Sequence, residues 1–298
     1  MSCTDTTPFN IKLRIFDFDG TIYPNPDILN DHVYQKMFRS LKRDGGVKGL
    51  TLAEVKTLGT MSYKAHGHSA VGLAESFNMI MHELYDSYHR LLNPNIIITS
   101  REDHQAMKSF CEYALSIGAR VRNCILTHST VDWTYPALKL LNQTKGVRGL
   151  NKVFSQKAGN IFTAEDYRFS DSEGNIKQYL KSGSFIPFLT VCAEMGVDPR
   201  ECAMVEDSFS NLKIAKMLGM QTIYVHHGKP MDILPDYVDH QIANIGDMPS
   251  IPLSHNVNAD EGFDKFIGRL MDESRITLVK DSPRRIVDCD QFPAPRSI

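Results

Sequence analysis

The sequence predicts an α/β protein with a Rossmann-like, doubly wound parallel sheet and a helical cap inserted after the first strand. Two observations lead to this prediction. Short apolar segments with strand character alternate with amphipathic helical segments along most of the chain, as in parallel sheets. A long segment with helical spacing alone, about residues 31–92, interrupts this alternation after the first strand.

The first predicted strand covers residues 11–16, where apolar residues alternate and then run together as in a buried central strand. Two carboxylates, Asp17 and Asp19, follow it directly, and Gly20 allows the chain to turn after them. Buried carboxylates repel each other unless a cation compensates their charge. Mg²⁺, which prefers one or two carboxylates plus water and a substrate phosphate, is the cation that this pattern indicates. An acidic turn without a ligand is the alternative.

The helical insert comes next in the chain. Two prolines within residues 22–26 prevent a helix there, and helical spacing then continues to residue 92, with residues 77–92 predicted as one amphipathic helix. Because the insert separates two strands, we expect it to cover the strand ends and exclude water. The predicted division is a core of residues 1–23 and 94–252, a helical cap of residues 24–93, and a C-terminal extension of residues 253–298.

The chain after the insert continues the alternation of strands and helices. Predicted strands cover residues 96–99, 121–126, 202–205 and 221–225, with shorter ones at Phe154 and residues 161–162. Predicted helices cover residues 103–117 with Asp103 as N-cap, residues 135–141, 185–195 and 211–218. In the C-terminal extension, a stripe of apolar residues predicts a short docked helix: Phe263, Phe266, Ile267 and Leu270.

Three predicted strands end in polar residues, and right-handed crossovers bring the carboxyl ends of such strands to one edge of the sheet. These residues are Asp17 and Asp19, Thr127 and Ser129, and Glu206 and Asp207. With a lysine added, the set suits phosphoryl transfer. One carboxylate serves as nucleophile, a second handles the proton, and a metal and a cation balance the phosphoryl charge.

Composition and charge argue against several classes of function. The chain of 298 residues has a formal net charge of −2, so no strongly basic field points to a nucleic-acid polymer. The six cysteines are scattered without metal-binding spacing, which indicates a reducing compartment. No apolar stretch approaches the length of a membrane span, and the first ten residues contain no apolar signal segment. We therefore expect a cytoplasmic protein; its oligomeric state stays open.

Four motifs, in order along the chain, resemble those of the haloacid dehalogenase superfamily of Mg²⁺-dependent phosphohydrolases. The first two are residues 15–21 (Ile-Phe-Asp-Phe-Asp-Gly-Thr) and residues 125–127 (Ile-Leu-Thr). The fourth is residues 205–211, an acidic pair with an asparagine downstream, where Glu206 stands in place of a frequent aspartate. The resemblance covers about residues 11–250 and implies this family's fold.

The third motif of the family is a lysine before a helix, and Lys181 fits it by position. Ser182 and Gly183 follow it where the family usually has proline, so Lys177 remains a rival for the same role. From the residues alone, Lys181 is a solvated surface charge and Thr127 a helix cap.

The resemblance implies a role for each matched residue. Asp17 would attack phosphorus and become an aspartyl-phosphate, while Asp19 would protonate the leaving oxygen and then deprotonate water. Mg²⁺ would be held by Asp17, the backbone carbonyl of Asp19 and Asp207, with Glu206 binding directly or through water. The residues expected at the phosphate are Asp17, Phe18, Asp19, Thr127, His128 and Lys181.

The function expected from this resemblance is Mg²⁺-dependent hydrolysis of a phosphomonoester, with a nucleotide or another small phosphorylated metabolite as substrate. The alternatives are a phosphomutase of the same superfamily, a phosphoprotein phosphatase, and a non-catalytic binding module. Within the superfamily, residues 21–24 and the helical insert are similar to the branch that includes pyrimidine 5′-nucleotidases, and Tyr63, Gly67 and Gly72 echo its cap.

A few further residues have both a structural and a functional interpretation. His66 and His68 either reach a substrate from the insert or cap a helix and face solvent. Trp133 either stacks on a base or packs in the core. His226 and His227 follow a predicted strand without a third metal ligand at suitable spacing, which argues against a zinc site.

Overall fold

A six-stranded sheet forms the centre of the protein, whose computed structural model describes residues 6–25, 27–143, 147–170 and 175–258. The strands are β1 (Thr6–Asn10), β2 (Leu13–Phe16), β3 (Arg122–Leu126), β4 (Ile161–Phe162), β5 (Arg168–Ser170), β6 (Ile176–Gln178), β7 (Cys202–Glu206), β8 (Gln221–Val225), β9 (His240–Ile242) and β10 (Ser254–Asn258). The central sheet has the order β4-β3-β2-β7-β8-β9, and all its neighbouring pairs are parallel.

Helices cover both faces of this sheet and also form the insert. They are α1 (Asp27–Arg43), α2 (Leu52–His66), α3 (Ser69–Ser76), α4 (Met81–His89), α5 (Arg101–Ser116), α6 (Val131–Gln143), α7 (Leu150–Val153), α8 (Ile186–Met195) and α9 (Phe209–Met217). Side chains of α5, α6 and α7 pack on one face, and those of α8 and α9 pack on the other. The predicted doubly wound parallel sheet with a helical insert is therefore confirmed.

Strand β2 occupies the middle of the sheet, and all four of its residues are buried. Three of them are apolar, and the guanidinium of the fourth, Arg14, donates to the hydroxyl of Tyr113 at 3.2 Å. Its last residue, Phe16, is in register with Ile125 of β3 and Val205 of β7. The residues that follow these three positions therefore emerge at the same edge of the sheet.

The four helices α1–α4 lie between β2 and β3 and enclose a small core of their own, which includes Met37, Val55, Leu73, Leu84 and Tyr85. The bounds predicted for the helix over residues 77–92 are wrong, since the helix there, α4, follows the end of α3 at Ser76 and covers only Met81–His89. Asn78 interrupts the helical path with a positive φ of 51°, a conformation that asparagine tolerates better than most residues.

The predicted strand over residues 96–99 is also wrong. A 3₁₀ turn covers Pro94–Ile96, where the side chain of Asn93 accepts a hydrogen bond from the backbone of Asn95. Helix α5 then begins after Ser100, which is its N-cap, whereas the predicted cap Asp103 is the third residue of the helix and completes a capping box. Both flanks of β2 are already paired, so this segment has no strand position beside it.

The segment between β3 and β7 was only partly interpretable from the sequence. Of the two predicted short strands, residues 161–162 form β4, but Phe154 follows α7 as its C-cap and packs in the core. Strands β5 and β6 form an antiparallel hairpin. Lys181 lies shortly after this hairpin, so the hairpin determines where the lysine enters the site.

The start of the predicted C-terminal extension is part of the fold, because β10 pairs antiparallel with β1. The predicted apolar stripe, from Phe263 to Leu270, lies outside the described residues. Among the helices that the structure describes, none combines the length and apolar character required to cross a bilayer.

Candidate active site

Three strand ends meet at the carboxyl edge of the sheet, as their register requires. Asp17 follows β2, Thr127 follows β3, and Glu206 is the last residue of β7. These residues line a single cavity with a volume of about 570 Å³ between the sheet edge and the helical insert. Asp19, His128, Lys181 and Asp207 line the same cavity, so it gathers residues from all four motifs.

Lys181 is buried completely and enters the site from the loop after β6. Its Nζ donates to Oε2 of Glu206 at 2.8 Å, to the carbonyl oxygen of Leu126 at 3.1 Å, and to Oδ1 of Asp17. The interpretation of Lys181 as a solvated surface charge is therefore wrong. The rival Lys177 lies on β6, where its Nζ sits 5.2 Å from the centre of the Tyr179 ring.

The charges of this buried cluster shift the pKa of its members. Burial raises the pKa of Asp17 to about 8; repulsion from Glu206 adds to this, and Lys181 opposes it. Burial also lowers the pKa of Lys181, but the carboxylates of Asp17 and Glu206 outweigh it and raise this pKa above its usual value. The lysine is therefore positively charged at neutral pH. The raised pKa of Asp17 indicates that one lysine does not balance the carboxylates, so a further cation would stabilise their ionised form.

Three carboxylates offer oxygens to such a cation, since ligand atoms of Asp17, Glu206 and Asp207 all lie within 4.8 Å of one another. Burial and repulsion from Glu206 raise the pKa of Asp207 well above its usual value. A Cβ on Gly20 would lie 2.2 Å from Oδ2 of Asp207, so only glycine permits this close approach. A hard, oxygen-only donor set of this kind fits Mg²⁺.

Glu206 differs from the two aspartates because four donors from the chain already occupy its carboxylate. Oε1 accepts from the backbone amides of Asp207 and Ser208, each at 3.1 Å. Oε2 accepts from Lys181 and from Nδ2 of Asn211, at 2.8 and 3.0 Å. A carboxylate has about four acceptor sites, so the oxygens of Asp17 and Asp207 are the ones with room for a metal.

Asp19 is surrounded by hydrogen-bond donors. Nε1 of Trp133 donates to its Oδ1 at 2.7 Å, the hydroxyl of Tyr23 donates to the same oxygen, and Oγ of Ser129 donates to Oδ2 at 2.7 Å. Burial raises the pKa of Asp19, and these three donors oppose the rise. With both acceptor sites of Oδ1 occupied, one remaining site on Oδ2 is the place where a proton can be held or accepted.

Sequence reasoning missed Tyr23 and Trp133 as hydrogen-bond donors to Asp19. For Trp133 the two predicted interpretations were stacking on a base and packing in the core, and the structure shows core packing together with this hydrogen bond. Its ring is buried among the residues that pack between the sheet and α6, while its N–H faces Asp19. Only Tyr23 gave a local signal in the sequence. Tyr23 stands four residues after Asp19 in the chain, and its hydroxyl returns to that carboxylate.

Thr127 and His128 shape the loop after β3. Oγ1 of Thr127 accepts the backbone N–H of Ser129 at 3.1 Å, which turns the chain back toward the cavity. Nε2 of His128 accepts the backbone N–H of Lys181 at 2.7 Å. Burial lowers the pKa of His128 well below its usual value, so the ring is neutral. The side chain of Phe18 is buried, with its ring 5.4 Å from that of Tyr23.

The helical insert rests on the loop that carries Lys181. Gly67 ends α2 with a φ of +69°, and a Cβ there would lie 2.5 Å from Cβ of Ser182. Oγ of Ser182 donates to the carbonyl oxygen of His66 at 2.6 Å. Farther along, Arg168 of β5 makes two hydrogen bonds to Asp86 of α4, at 2.7 and 3.1 Å. The insert therefore closes over the sheet edge.

The two histidines of the insert take different positions. His66 is exposed, whereas His68 lines the cavity and caps α3, because its Nδ1 accepts the backbone N–H of Ala70 at 3.1 Å. The His68 ring stacks on Tyr85 at a centroid distance of 4.7 Å. Burial lowers the pKa of His68 to about 3.

His227, which follows β8, contacts the loop after β2 and is not part of the carboxylate cluster. Its Nε2 lies 2.6 Å from the carbonyl oxygen of Gly20. His227 has a φ of 43°, and its backbone N–H donates to the carbonyl of Ala243 at 3.0 Å. It helps to hold the turn that follows Asp19.

Comparison with known proteins gives a likeness of fold. No family model matches the sequence, and no curated protein matches it. The fold is similar to a HAD phosphatase from Thermococcus onnurineus, at 20% identity and a TM-score of 0.49, covering 80% of this chain and 97% of that chain. It is also similar to CbbY from Rhodobacter sphaeroides in complex with phosphate, at 14% identity and a TM-score of 0.47, covering 80% and 96%. The chemistry of the site therefore rests on its own geometry.

Proposed function

We propose that the protein is a Mg²⁺-dependent phosphomonoester hydrolase of the haloacid dehalogenase superfamily, acting through an aspartyl-phosphate. The observation that carries this proposal is the buried Lys181, which bridges Asp17 and Glu206 beside Asp207. A lysine in a carboxylate cluster at a cavity floor suits the binding of a phosphoryl group, whose charge it shares with a metal. Similarity to the pyrimidine 5′-nucleotidase branch stays a prediction.

Asp17 is the proposed nucleophile. Lys181 holds one of its oxygens, which fixes the orientation of the carboxylate at the cavity floor. An oxygen of Asp17 forms a bond to phosphorus as the bond from phosphorus to the leaving oxygen breaks. Asp17 and Asp207 would hold Mg²⁺, with Glu206 orienting Lys181 beside them. When bound, Mg²⁺ supplies positive charge to the phosphoryl oxygens.

Asp19 is the proposed general acid and base. Its protonated carboxyl gives a proton to the leaving alcohol in the first step. In the second step water attacks phosphorus, the proton of that water returns to Asp19, and the bond from phosphorus to Asp17 breaks. Inorganic phosphate leaves, and both aspartates regain their starting state. Oδ2 of Asp19, which has the remaining acceptor site, carries this proton.

The test is release of phosphate from p-nitrophenyl phosphate with and without Mg²⁺. The wild-type protein is expected to require the metal, and Asp17→Asn is expected to lower kcat to below about one thousandth. Asp232→Asn, a matched change at an exposed aspartate outside the cavity, is expected to keep full activity. Equal activity of the Asp17→Asn variant would refute the proposal. Isomerised product without free phosphate would favour the phosphomutase alternative.

A further inference from the structure

We propose that the cavity selects phosphate monoesters whose leaving alcohol is uncharged and carries a planar apolar body, and that it rejects esters with a second anionic group. This inference rests on the proposed function and names its substrate class. It is carried by the contrast between the two ends of the cavity, one formed by the sheet edge and the other by the helical insert.

The sheet end has a surplus of negative charge. Four carboxylates line it, those of Asp17, Asp19, Glu206 and Asp207, and Lys181 is the one cation among the described residues that line the cavity. Lys181 is already shared between two of these carboxylates. Asp19 begins the proposed reaction protonated, so one divalent cation and Lys181 balance the three other carboxylates. The phosphoryl group of a substrate then adds negative charge for which the described cavity lining offers no further cation.

The insert end has an apolar and aromatic wall. It is lined by Leu29, Val33, Tyr34, Met37, Tyr88 and Leu92. Asn25, Asn30 and Thr60 add uncharged hydrogen-bonding groups. Such a wall stabilises a flat apolar group and can bind a few hydroxyl or carbonyl groups, but it offers no counter-ion to a carboxylate or a second phosphate.

Two arginines near the helical insert, Arg168 and Arg90, are held by carboxylates outside the cavity lining. Arg168 forms two hydrogen bonds with Asp86, and Nε of Arg90 lies 3.2 Å from a carboxylate oxygen of Asp132. His89 also lines the cavity, but burial lowers its pKa well below the usual value, so its ring carries no charge at neutral pH. Its Nδ1 has no hydrogen-bond partner among the described residues.

The size of the cavity sets an upper limit on the leaving group. A volume of about 570 Å³ lies within the range of pockets that hold small ligands. After the phosphate is placed at the sheet end, the remaining space suits a leaving group of one or two rings. A phosphorylated protein loop is a poor fit, since the insert closes over the sheet edge.

The experiment compares benzyl phosphate with 4-carboxybenzyl phosphate, whose leaving alcohol carries one additional negative charge. The third ester is glycerol 3-phosphate, whose leaving alcohol is uncharged but polar. We expect kcat/KM of the wild-type protein to be highest for benzyl phosphate and at least about tenfold lower for the carboxylated ester. Glycerol 3-phosphate is expected to fall below benzyl phosphate because it leaves the apolar wall uncovered.

A charge-insertion pair then tests the cause of the preference. Asn30→Arg places a cation in the wall at an exposed position of α1, whereas Gln35→Arg adds the same charge to the same helix outside the cavity. Asn30→Arg is expected to reduce the ratio of kcat/KM for benzyl phosphate to kcat/KM for 4-carboxybenzyl phosphate several-fold. Gln35→Arg is expected to leave this ratio unchanged.

Four results would overturn the inference. Equal kcat/KM for the two benzyl esters, or glycerol 3-phosphate hydrolysed as well as benzyl phosphate, would overturn it and leave the proposed function standing. If Asn30→Arg left the ratio of kcat/KM for the two benzyl esters unchanged, the preference would come from the shape of the cavity and the proposed role of charge would be overturned. Hydrolysis of none of the esters would refute the proposed function itself, and the inference with it.

Discussion

Nε1 of Trp133 lies 2.7 Å from Oδ1 of Asp19 and donates a hydrogen bond to it. Tyr23 and Ser129 complete a set of three donors around this carboxylate, which keeps it in one orientation. If Asp19 exchanges a proton with the leaving alcohol, these donors place its Oδ2 and are positioning residues for the reaction.

Trp133→Phe is expected to reduce activity more for a poor leaving group than for a good one. Phenylalanine keeps an aromatic ring but removes the donor, so Asp19 loses part of its fixed orientation. An alkyl phosphate needs its leaving oxygen protonated, whereas p-nitrophenol leaves as an anion. We expect kcat/KM to fall about tenfold or more for benzyl phosphate and less for p-nitrophenyl phosphate.

The control for this measurement is Tyr85→Phe, which removes a buried hydroxyl that has no hydrogen-bond partner in the structure. It is expected to leave the ratio of the two substrates unchanged. If Trp133→Phe lowered both activities by the same factor, the indole would only support the fold, and its positioning role would be excluded.

Asp207→Asn is expected to abolish stabilisation by Mg²⁺. Binding to the folded state alone at about 100 times the dissociation constant would add about 2.7 kcal/mol to the free energy of unfolding. In the variant this gain disappears, while its metal-free Tm is expected to rise because one of three mutually repelling carboxylates is gone. Thermal unfolding with Mg²⁺ and with a chelator measures both effects. A variant whose Tm still responded to Mg²⁺ as wild-type does would contradict this assignment of the ligand.

Lys181→Met is expected to destabilise the protein by about 3–5 kcal/mol, because it leaves Asp17 and Glu206 buried without their cation. Urea unfolding measures the loss. Lys177→Met is the matched control, and it is expected to have little effect because Lys177 lies over the Tyr179 ring and contributes nothing to the cluster. Comparable losses in both variants would contradict the choice of Lys181.

In the absence of divalent ions, the free energy of unfolding of Lys181→Met is expected to increase as the pH falls. The pKa of Asp17 is about 8 in the folded protein, above its ordinary value near 4 in an unfolded chain. Between these values the folded state binds more protons, so the free energy of unfolding increases as the pH falls. Removing Lys181 takes away the charge that opposes this rise in pKa, so the gain in stability on lowering the pH begins at a higher pH in the variant than in wild-type. A gain that began at the same pH in both proteins would argue against the coupling.

His68 is expected to make the protein less stable in mild acid. Its pKa is about 3 in the folded state, below the ordinary value near 6.5, so the unfolded state binds more protons between these values. Stability from the neutral ring is complete above about pH 6.5 and is lost as the pH falls. Between pH 7 and pH 5 the loss is about 2 kcal/mol.

The measurement is the difference in free energy of unfolding between wild-type and His68→Asn at these two pH values. Asparagine can still accept the cap hydrogen bond from Ala70, and the contributions of other titrating groups cancel in the difference. His66→Asn, at an exposed position next to it, is the control. If the difference in free energy of unfolding between wild-type and His68→Asn were the same at both pH values, the depressed pKa of a buried, neutral His68 ring would be excluded.

The sheet could be predicted because each of its central strands has a recognisable local sequence pattern. Apolar runs that end in Asp17, Thr127 and Glu206 identify both the strand and the edge where it ends. Residues 96–99 show the limit of this reasoning, since three consecutive isoleucines favour a strand. The turn at Pro94 and the pairing of β2 on both sides leave no strand position for them.

The donors around Asp19 and the choice of lysine could not be predicted in the same way. Trp133 reaches Asp19 across more than a hundred positions of sequence, so no spacing rule connects them. Lys177 and Lys181 differ by four positions in a polar segment, and only the register of the β5–β6 hairpin separates a lysine on the surface from one in the site.

The close approach of Gly67 to Ser182 connects the position of the insert to that of the segment that carries Lys181. Any movement that lifts α2 off the sheet edge to admit a substrate also breaks the hydrogen bond from Ser182 to His66. The segment beside Lys181 is then released on one side. The segment that carries Lys181 therefore has its full set of contacts only while the insert covers the cavity. The position of this lysine thus depends on the same contact that keeps bulk solvent out.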